Sequence, residues 1–416
     1  MVRIDKNNST IRDSHFPLPK GWRWVRLGEV CEVVTGSTPS RQRPEFFGSG
    51  IPWLTPRDIG EEIYVYKGQE EVTKLGVSVG RARLLRKGTV LLVCIGATIG
   101  KVAIAGRDLC VNQQINALVC SNVVCPEFLY YTLIFYRRQI ISLASTATLP
   151  IINQNTLRSF TIPLPPLPEQ KRIAAKIQEL MQEVERARAA CEKQLEAAKA
   201  LPAAYVRQVF ESEEAKRWER RRLGEVCEIN PKRPKNFTRF PEAPTTFVPM
   251  AAIDERTGII AKPEIVPYSR VSKGYTYFEE GDVLFAKITP CMQNGKHVIA
   301  KNLIDGMGFG TTEFHVLRPH DNVLPEWIHF FIRQPHFLKE ATLYFTGAVG
   351  QQRVPEEFLS NYIIPIPSLP MQERIIAELK EKMAQVDKLR ASIEKQLEAI
   401  NALPQAILRK AFRGEL

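Results

Sequence analysis

The sequence contains an internal repeat that covers nearly the whole chain, and this repeat constrains the fold more than any other feature. The segment WRWVRLGEVCE at residues 22–32 recurs 196 residues later as WERRRLGEVCE. The segment IPLPPLPEQKRI at 162–173 recurs as IPIPSLPMQERI with an offset of 202, and EKQLEA at 192–197 recurs unchanged with the same offset. Repetition of this kind predicts two copies of one structural unit.

The offset between equivalent residues divides each copy into two parts. It is 193 between Gly88 and Gly281, and 199 between Pro126 and Pro325. From residue 162 to the end it stays at 202. A drifting offset indicates a globular part whose loops differ in length, whereas a constant offset indicates a length that must be kept.

The part with the constant offset is predicted to be helical. Its apolar residues alternate in steps of four and three, which is the pattern of a coiled coil. Pro168 and Pro370 suit a first helical turn. Pro202 and Pro404 are expected to break or kink each helix, which leaves a rod of about 33 residues, or roughly 50 Å, followed by a short amphipathic helix. The apolar positions form a predicted helix seam of Ile173, Ile177, Leu180, Val184, Leu195, Ile375, Leu379, Val386, Leu389, Ile393 and Leu397.

The remaining parts are predicted to have mixed α and β structure, with the aromatic residues in the core. Short apolar runs predict strands at 89–95, 101–105 and around Asn116, with counterparts at 282–288, 297–300 and 313–319, and aromatic-rich segments predict helices at 127–143 and 326–341. The predicted fold class is therefore α+β. Two mixed α/β domains are separated by two long helices, which form an antiparallel coiled coil with an internal pseudo-twofold repeat. The expected boundaries are a first domain at 1–161, a first helical spacer at 162–212, a second domain at 213–363 and a second spacer at 364–416.

The net charge of +12 lies mainly outside the helices. Residues 169–211 contain eight basic and seven acidic side chains, and residues 368–416 contain nine and seven. The remaining +9 belongs to the domains and the N-terminal segment. A basic excess indicates a polyanionic partner, with DNA, RNA and an acidic membrane surface as candidates.

Location and metal content are predicted from simple patterns. Residues 1–20 have the pattern of neither a signal peptide nor a membrane anchor. No apolar run reaches the ~18 residues that span a bilayer, so no membrane contact is expected. The eight cysteines are scattered singly, which argues against a zinc site and favours the reducing cytoplasm.

Motifs for catalysis are not recognised. Gly96 to Lys101 resembles a phosphate-binding loop, but it has three rather than four residues between its glycines and lacks Ser or Thr after the lysine. A strand–turn–strand, with Gly100 and Gly295 in the turns, is predicted instead. The dispersed histidines suggest no acyl-transfer site. We therefore expect no catalytic, cofactor-binding or metal-binding residues in this chain.

Taken together, these motifs resemble the specificity subunit of type I restriction–modification enzymes. The resemblance covers nearly the whole chain. It rests on the RLGEV that opens each domain, the Gly-Lys turn, the IPLPPLPEQ/IPIPSLPMQ transition and the duplicated helix with EKQLEA. It implies a non-catalytic subunit whose two target-recognition domains each read one half of a bipartite, asymmetric sequence in double-stranded DNA.

The same resemblance implies partners. The long helices would set the spacing between half-sites and dock two methyltransferase subunits, and a motor-nuclease subunit would join them. S-adenosylmethionine, ATP and Mg²⁺ would be bound by those partners and not by this chain.

Candidate DNA contacts are polar and basic residues on loops, because such side chains can reach base edges and phosphates. The loops before the long helices, at 146–159 and 346–358, are the first choice. A solvated charge or a loop hydrogen bond is the alternative for each residue. The candidates are Arg41, Arg43, Lys101, Gln113, Asn153, Gln154, Asn155, Arg233, Lys235, Lys287, Lys296, Gln351, Gln352 and Arg353.

Three other functions stay open at this point. A duplicated coiled-coil scaffold or adaptor that binds proteins would explain the helices but not the charge of the domains. A fused restriction enzyme would need an active site of its own. An orphan subunit that competes for methyltransferases without a nuclease would have the same sequence pattern as a specificity subunit.

Overall fold

The repeated sequence segments form equivalent elements in two units of the chain. The computed structural model describes residues 17–144, 150–348 and 350–416. Unit 1 consists of Met1–Cys191 and Gln396–Leu416, and unit 2 consists of Glu192–Lys395. Each of the two long helices therefore begins in one unit and ends in the other.

Unit 1 contains eleven strands and the first six helices among the described residues. Its strands are β1 (Arg23–Arg26), β2 (Cys31–Thr35), β3 (Phe47–Leu54), β4 (Tyr64–Val65), β5 (Glu70–Val72), β6 (Leu84–Leu85), β7 (Val90–Val93), β8 (Val102–Ala105), β9 (Leu109–Val111), β10 (Ile115–Cys120) and β11 (Thr161–Leu164). Its helices are α1 (Leu27–Val30), α2 (Lys74–Ser78), α3 (Pro126–Phe135), α4 (Arg137–Ser142), α5 (Gln154–Ser159) and the start of α6 (Leu167–Phe210).

Unit 2 follows the same order with one additional strand among the described residues. Its strands are β12 (Glu219–Arg222), β13 (Cys227–Ile229), β14 (Pro244–Val248), β15 (Ile253–Asp254), β16 (Ile259–Ile260), β17 (Glu264–Pro267), β18 (Thr276–Glu279), β19 (Val283–Ala286), β20 (His297–Ile299), β21 (Met307–Gly310), β22 (Phe314–Pro319) and β23 (Ile363–Ile366). Its helices are α7 (Leu223–Val226), α8 (Tyr268–Val271), α9 (Pro325–Ile332), α10 (Pro335–Leu343), α11 (Glu356–Asn361) and the start of α12 (Leu369–Phe412).

The central sheet of each unit is buried on both faces. In unit 1 the strand order is β2-β10-β7-β8-β4, and in unit 2 it is β13-β22-β19-β20. Val90 and Leu92 of β7 face α3, while Leu91 and Val93 face the second sheet, β5-β3-β9-β6. Because both faces are covered, the strand is a continuous apolar run rather than an alternating one. The predicted mixed α/β domains are confirmed.

The repeated RLGEV segment forms one helical turn between two strands, α1 in unit 1 and α7 in unit 2. Leu27 and Val30 are buried, and the Leu27 N–H donates to the Phe160 carbonyl at 2.9 Å. A Cβ at Gly28 would lie 3.0 Å from the Cβ of Arg158 on α5. The glycine therefore allows the close approach of α5 to this turn, and a side chain here would require Arg158 to shift.

Helices α6 and α12 are each 44 residues long and continue through Pro202 and Pro404. The prolines therefore do not break the helices, and the short helix expected after each of them is part of the same element, so that 44 residues at 1.5 Å span roughly 66 Å. An internal proline removes one helical hydrogen bond. Burial of the following turns compensates, because Phe210 packs against Trp327 at 4.8 Å and Phe331 at 5.3 Å. None of the described helices is both long and apolar enough to cross a membrane.

The predicted antiparallel pairing of the long helices is confirmed within each unit. In unit 1, Ile173 and Ile177 of α6 share a core with Leu408 and Phe412, near the end of α12. In unit 2 the end of α6 meets the start of α12, and the Lys382 ammonium lies 5.2 Å from the centre of the Tyr205 ring.

Most of the predicted helix seam is buried or half-buried. Leu389 is the exception, because it is 46% exposed, and the sequence interpretation is wrong at this position. The side chain of the next residue, Arg390, is only 14% exposed, so Arg390 takes the inward position. The buried members are Ile173, Ile177, Ile375, Leu379, Val386 and Ile393, and the half-buried ones are Leu180, Val184, Leu195 and Leu397.

A buried glutamine joins each long helix to its domain. Gln170 accepts a hydrogen bond from the Cys125 N–H at 2.8 Å and donates to the carbonyls of Val123 and Pro165 at 2.9 and 2.8 Å. Gln372, 202 residues later, makes the same three bonds in unit 2. The final glutamine of the repeated PLPEQ and SLPMQ segments therefore fixes the direction in which the helix leaves the domain.

Candidate nucleic-acid interface

Three loop segments that the sequence indicated separately lie side by side in unit 1. The turn between β7 and β8 contains Gly100, whose φ of +82° is left-handed, so the predicted strand–turn–strand is confirmed. The Ile152 N–H donates to the Cys94 carbonyl at 2.9 Å, which ties the loop before α5 to this turn. The Cys94 N–H donates to the Gln114 carbonyl at 2.8 Å, which adds the segment before β10. We call these three segments the loop surface of unit 1.

The equivalent segments form a loop surface in unit 2. The Val354 N–H donates to the Lys287 carbonyl, and the Lys287 N–H donates to the Glu313 carbonyl, both at 2.9 Å. The Thr289 N–H donates to the Gln352 carbonyl at 2.9 Å. Residues 146–149 and Val349 of the two loops predicted to contact DNA lie outside the described residues.

A polar side-chain network fixes the loop surface of unit 1. The Thr35 hydroxyl at the end of β2 donates to Asn116 Oδ1 at 2.7 Å. Gln154, the first residue of α5, donates through Nε2 to the Thr35 hydroxyl at 2.5 Å. Arg158 donates to Gln154 Oε1 at 3.0 Å and to the Val33 carbonyl at 2.9 Å. These bonds join β2, β10 and α5, so the loop that precedes α5 is held from both sides.

Different residues make the corresponding network in unit 2. Asn230 follows β13 and donates to Glu356 Oε2 at 2.6 Å. It also lies 3.0 Å from Nδ1 of His315, whose Nε2 lies 2.9 Å from the Val354 carbonyl. A neutral imidazole that donates from Nε2 and accepts at Nδ1 satisfies both contacts. Burial lowers the pKa of His315, which favours this neutral form.

Arg41 and Arg43, both predicted DNA contacts, are held by carboxylates. Arg41 donates from both terminal nitrogens to Glu70, at 2.5 and 3.1 Å, and its guanidinium lies 4.3 Å from the centre of the Phe47 ring. Arg43 donates to Glu45 at 2.7 Å. Both arginines keep about half of their side-chain surface exposed. Exposed ion pairs are weak, at about 0–1 kcal/mol, so DNA phosphates or base edges can replace these carboxylates.

Two other predicted contacts of unit 1 differ in accessibility. The Lys101 ammonium donates to the Ile59 carbonyl at 2.9 Å and is half-buried, so it acts first as a link to the β3–β4 connection. Gln113 is exposed and accepts a hydrogen bond from the Thr38 hydroxyl.

The remaining three predicted residues of unit 1 occupy the start of α5. Asn153 caps the helix by accepting from the Thr156 N–H at 2.8 Å, which is the role favoured for asparagine at this position. Gln154 belongs to the network described above. Asn155 is exposed and is therefore the residue of the three best placed to reach a ligand.

In unit 2, Arg233 and Lys287 meet at one groove, and Lys235 and Lys296 lie outside its lining. Arg233 donates to the Tyr268 hydroxyl at 2.7 Å and to the Ser272 carbonyl at 3.1 Å. Burial lowers the pKa of Lys287, and the nearby Glu313 partly offsets this effect. Lys235 is exposed. Lys296 is half-buried, and its ammonium lies 3.4 Å from the Met250 carbonyl.

The loop before α11 presents the last three predicted residues. Arg353 donates from Nε and Nη2 to the two carboxylate oxygens of Glu313, each at 2.8 Å. Its Nη1 donates to the Gln351 carbonyl at 3.0 Å. Gln351 is exposed and Gln352 is half-buried, so the arginine stabilises the loop on which both glutamines are presented.

Each loop surface borders a groove of about 410 Å³ that adds residues which the sequence interpretation missed. In unit 1 the groove is lined by Arg57, Gln69 and Gln114, besides Trp53 and Glu70. In unit 2 it is lined by Lys232, Tyr275 and Tyr277, besides Arg233 and Lys287. Of these residues, only Gln114 could have been found from the sequence. It aligns with Glu313 at the offset of 199, so the repeat places both residues at equivalent positions.

Two buried histidines lie behind the loop surface of unit 2. The His297 ring stacks on Phe285 with the ring centres 4.3 Å apart. Nε2 of His329 lies 3.0 Å from the His297 carbonyl, to which Arg333 also donates. Burial, reinforced by Arg333, lowers the pKa of His329 to about 4 and that of His297 well below its ordinary value. Both rings are therefore neutral in the folded unit.

These histidines predict that unit 2 loses stability in mild acid. The unfolded chain takes up protons once the pH falls below about 6.5, whereas folded His329 resists protonation down to about pH 4. Stability is therefore fully present above pH 6.5 and declines below it, by about 2–3 kcal/mol from His329 by pH 4.5. The readout is hydrogen exchange of α9 between pH 7 and 4.5.

The described residues of unit 1 contain no histidine, so exchange in α3 is the internal control. His329→Gln keeps a donor for the His297 carbonyl but cannot become charged, so it should remove the share of the pH dependence that comes from His329 and leave that of His297. An equal decline in both units would contradict the assignment.

Comparison with known proteins assigns both units to the same domain family. A sequence model of the type I restriction modification DNA specificity domain matches residues 19–196 and again residues 215–401. The specificity subunits of the type I restriction enzymes EcoEI and EcoAI of Escherichia coli are 40% and 38% identical over 192 residues, or 46% of this chain. These matches span only 32% of each of the two relatives. The MjaIX specificity subunit of Methanocaldococcus jannaschii is 26% identical over 96% of this chain and 94% of its own.

Two solved structures are similar over 97% of the chain. One comes from a study of complex assembly and conformational transition of the type I R-M system, and is 25% identical with a TM-score of 0.72 over 100% of that chain. The other, the HsdS subunit of Thermoanaerobacter tengcongensis, is 24% identical with a TM-score of 0.68 over 100% of its chain, and shows the shared fold.

Proposed function

Since the chain belongs to the family of type I restriction modification DNA specificity domains, we propose that it is the DNA-recognition subunit of a restriction–modification complex. Each unit reads one half of a bipartite sequence in double-stranded DNA. The observation that carries this proposal is the loop surface, which occurs once in each unit on the same arrangement of strands and turns.

The two loop surfaces differ in the side chains that they present. Ile151 in unit 1 corresponds to Arg353 in unit 2, and Gln114 corresponds to Glu313. Base edges are distinguished by their patterns of donors, acceptors and methyl groups. Units with different side chains at equivalent positions therefore read different half-sites, and the full target is asymmetric.

The chemistry of the complex is proposed to lie in partner subunits. The specificity subunit is non-catalytic and binds no cofactor. Two methyltransferase subunits supply S-adenosylmethionine-dependent methylation, and a motor-nuclease subunit supplies ATP- and Mg²⁺-dependent steps. The EKQLEA segments support two equivalent docking places, because they are identical and their Glu192, Lys193, Glu394 and Lys395 are all exposed. A cytoplasmic location accords with eight free cysteines.

Selection from random duplex DNA tests the proposal. The chain is purified with the methyltransferase subunit that accompanies it in its host, and bound DNA is amplified and sequenced. Enrichment of two short, different half-sites at one fixed spacing is the expected result. If a monodisperse sample with bound methyltransferase enriches no sequence, the result would contradict the proposal and favour a protein-binding scaffold.

Each unit should govern only its own half-site. Gln352→Ala is expected to weaken binding through the half-site of unit 2 roughly tenfold, because a base contact contributes about 1–3 kcal/mol. Asn155→Ala is the matched variant for the half-site of unit 1. Affinities are measured with duplexes in which one half-site at a time is scrambled. Equal losses at both half-sites for either variant would indicate a folding defect and contradict independent reading.

A further inference from the structure

The loop at residues 230–243 of unit 2 combines basic residues with an exposed aromatic ring. It starts at Asn230, directly beside the loop surface, and contains four basic side chains against one acidic one, Glu242. At its far end the Phe240 side chain is 85% exposed, more than any other large hydrophobic residue among those the structure describes.

The loop is fixed on both sides of this ring. Before it, Arg239 donates to the Pro244 carbonyl at 2.6 Å and pairs with Asp305 at 2.8 Å, and its side chain is only 11% exposed. Phe237 packs against the rings of Tyr268 and Tyr277, with ring centres 5.9 and 6.1 Å apart.

After the ring, the chain turns back and is tied to α8. The Ala243 N–H donates to the Phe240 carbonyl at 3.0 Å, which closes a tight turn. The Ser269 N–H then donates to the Pro241 carbonyl at 2.7 Å. Phe240 is therefore presented to solvent by an ordered backbone, and binding need not pay for ordering the loop.

The charge around the ring selects the kind of partner. Lys232, Arg233 and Lys235 are all exposed on the same loop, so the segment that carries the ring has a net positive charge. Duplex DNA fits both features, because its phosphates attract basic side chains and an apolar side chain can insert between two base pairs that partly unstack.

Unit 1 uses its phenylalanines differently. In the segment that follows β2, Phe46 is 3% exposed. Phe47 is half-buried beneath the Arg41 guanidinium. The two units therefore differ in the availability of an aromatic ring, not only in their hydrogen-bonding groups.

We infer that Phe240 is a stacking wedge, which inserts at a base step of the half-site bound by unit 2 and partly unstacks it. This inference rests on the proposed DNA-recognition function and adds a specificity element to it. Because pyrimidine–purine steps unstack most easily, unit 2 prefers such a step at the position of the ring, and unit 1 imposes no corresponding preference.

The test uses the complex with its methyltransferase subunits and the selected duplex. Phe240→Ala should weaken binding through the half-site of unit 2 by about tenfold, the usual range for loss of one base–aromatic stack, while Phe240→Trp should stay within about threefold of the parent. Leu343→Ala is the matched control, because Leu343 is 80% exposed in the same unit but lies outside the basic loop. It should leave affinity unchanged.

A second readout reports unstacking directly. 2-Aminopurine is placed at successive positions of the half-site of unit 2, avoiding the adenine that is methylated. In the parent complex the fluorescence of the probe should rise at one base step, and Phe240→Ala should abolish that rise.

Three results would overturn the inference: unchanged DNA affinity and probe fluorescence in Phe240→Ala, a loss that Leu343→Ala reproduces, or reduced methyltransferase binding with unchanged DNA affinity in the assembled complex. A parent complex that selects no DNA would instead contradict the proposed function itself.

Discussion

Phe412→Ala is expected to destabilise unit 1 by about 3–5 kcal/mol, although residue 412 lies at the opposite end of the chain from the domain that it stabilises. The Phe412 side chain is fully buried. Its ring stacks on Phe135 with centres 4.9 Å apart and meets Phe128 at 5.5 Å and Tyr136 at 6.4 Å. Truncation to alanine removes these contacts and leaves a cavity between α3 and α12.

Hydrogen exchange locates the effect. Amides of α3 should lose protection in Phe412→Ala, while those of α9 in unit 2 should keep theirs. Phe210→Ala is the reciprocal variant, because Phe210 packs on Trp327 and Phe331 in unit 2. Arg413→Ala changes an exposed neighbour and should leave both units unaffected. Unchanged protection in α3 would show that the end of α12 contributes little to the core of unit 1.

Gln372→Leu is expected to lower the stability of unit 2 by about 3 kcal/mol, roughly one for each of the three hydrogen bonds that are lost. The substitution leaves the Leu324 N–H and the carbonyls of Asn322 and Pro367 without the partner that now satisfies them. Leucine has a similar size, so the cost comes from unsatisfied polar groups and not from a cavity.

Denaturant unfolding of the purified chain measures this effect. Gln385→Leu is the control, because Gln385 is exposed on the same helix and bonds only Glu381 among the contacts described, at 3.2 Å. It should change stability by less than about 0.5 kcal/mol. Equal behaviour of the two variants would contradict a special role for the buried glutamine. Gln170→Leu should repeat the result in unit 1.

Local patterns were sufficient to predict three central strands and the first core helix of each unit. The strands β7, β8 and β10, and their counterparts β19, β20 and β22, were expected from short apolar runs, and all six are present. The helical segments α3 and α9 were expected from their spacing of apolar and aromatic residues, and Phe128 and Trp327 are indeed fully buried. Such patterns are readable because the neighbours that create them are close in sequence.

The extent of the long helices was less predictable. Proline is unfavourable inside a helix by about 3 kcal/mol, so Pro202 and Pro404 were expected to break or kink the rods. The helices continue because the turns beyond each proline are buried against a domain, and that burial involves residues far away in sequence. Local propensity was outweighed by tertiary packing.

The candidate site likewise combines features that short sequence patterns indicate with contacts that only the tertiary structure creates. The turn at Gly100 and the loop before α5 were each indicated by their residues, but their direct contact was not. The carboxylates that hold two of the candidate arginines were also missed. Glu70 lies 29 residues from Arg41, and Glu313 lies 40 residues from Arg353, so no short-range pattern connects either pair.

The duplicated architecture, the mixed α/β domains and the basic character of those domains follow from repetition, periodicity and charge, which are properties of neighbouring residues and of composition. Only the tertiary structure determines three other features. These are the burial of Phe210 and Phe412, the hydrogen bonds of Gln170 and Gln372, and the fixed backbone that exposes Phe240. Each of them depends on which distant segments come into contact, and it is the packing of the whole unit that selects those contacts.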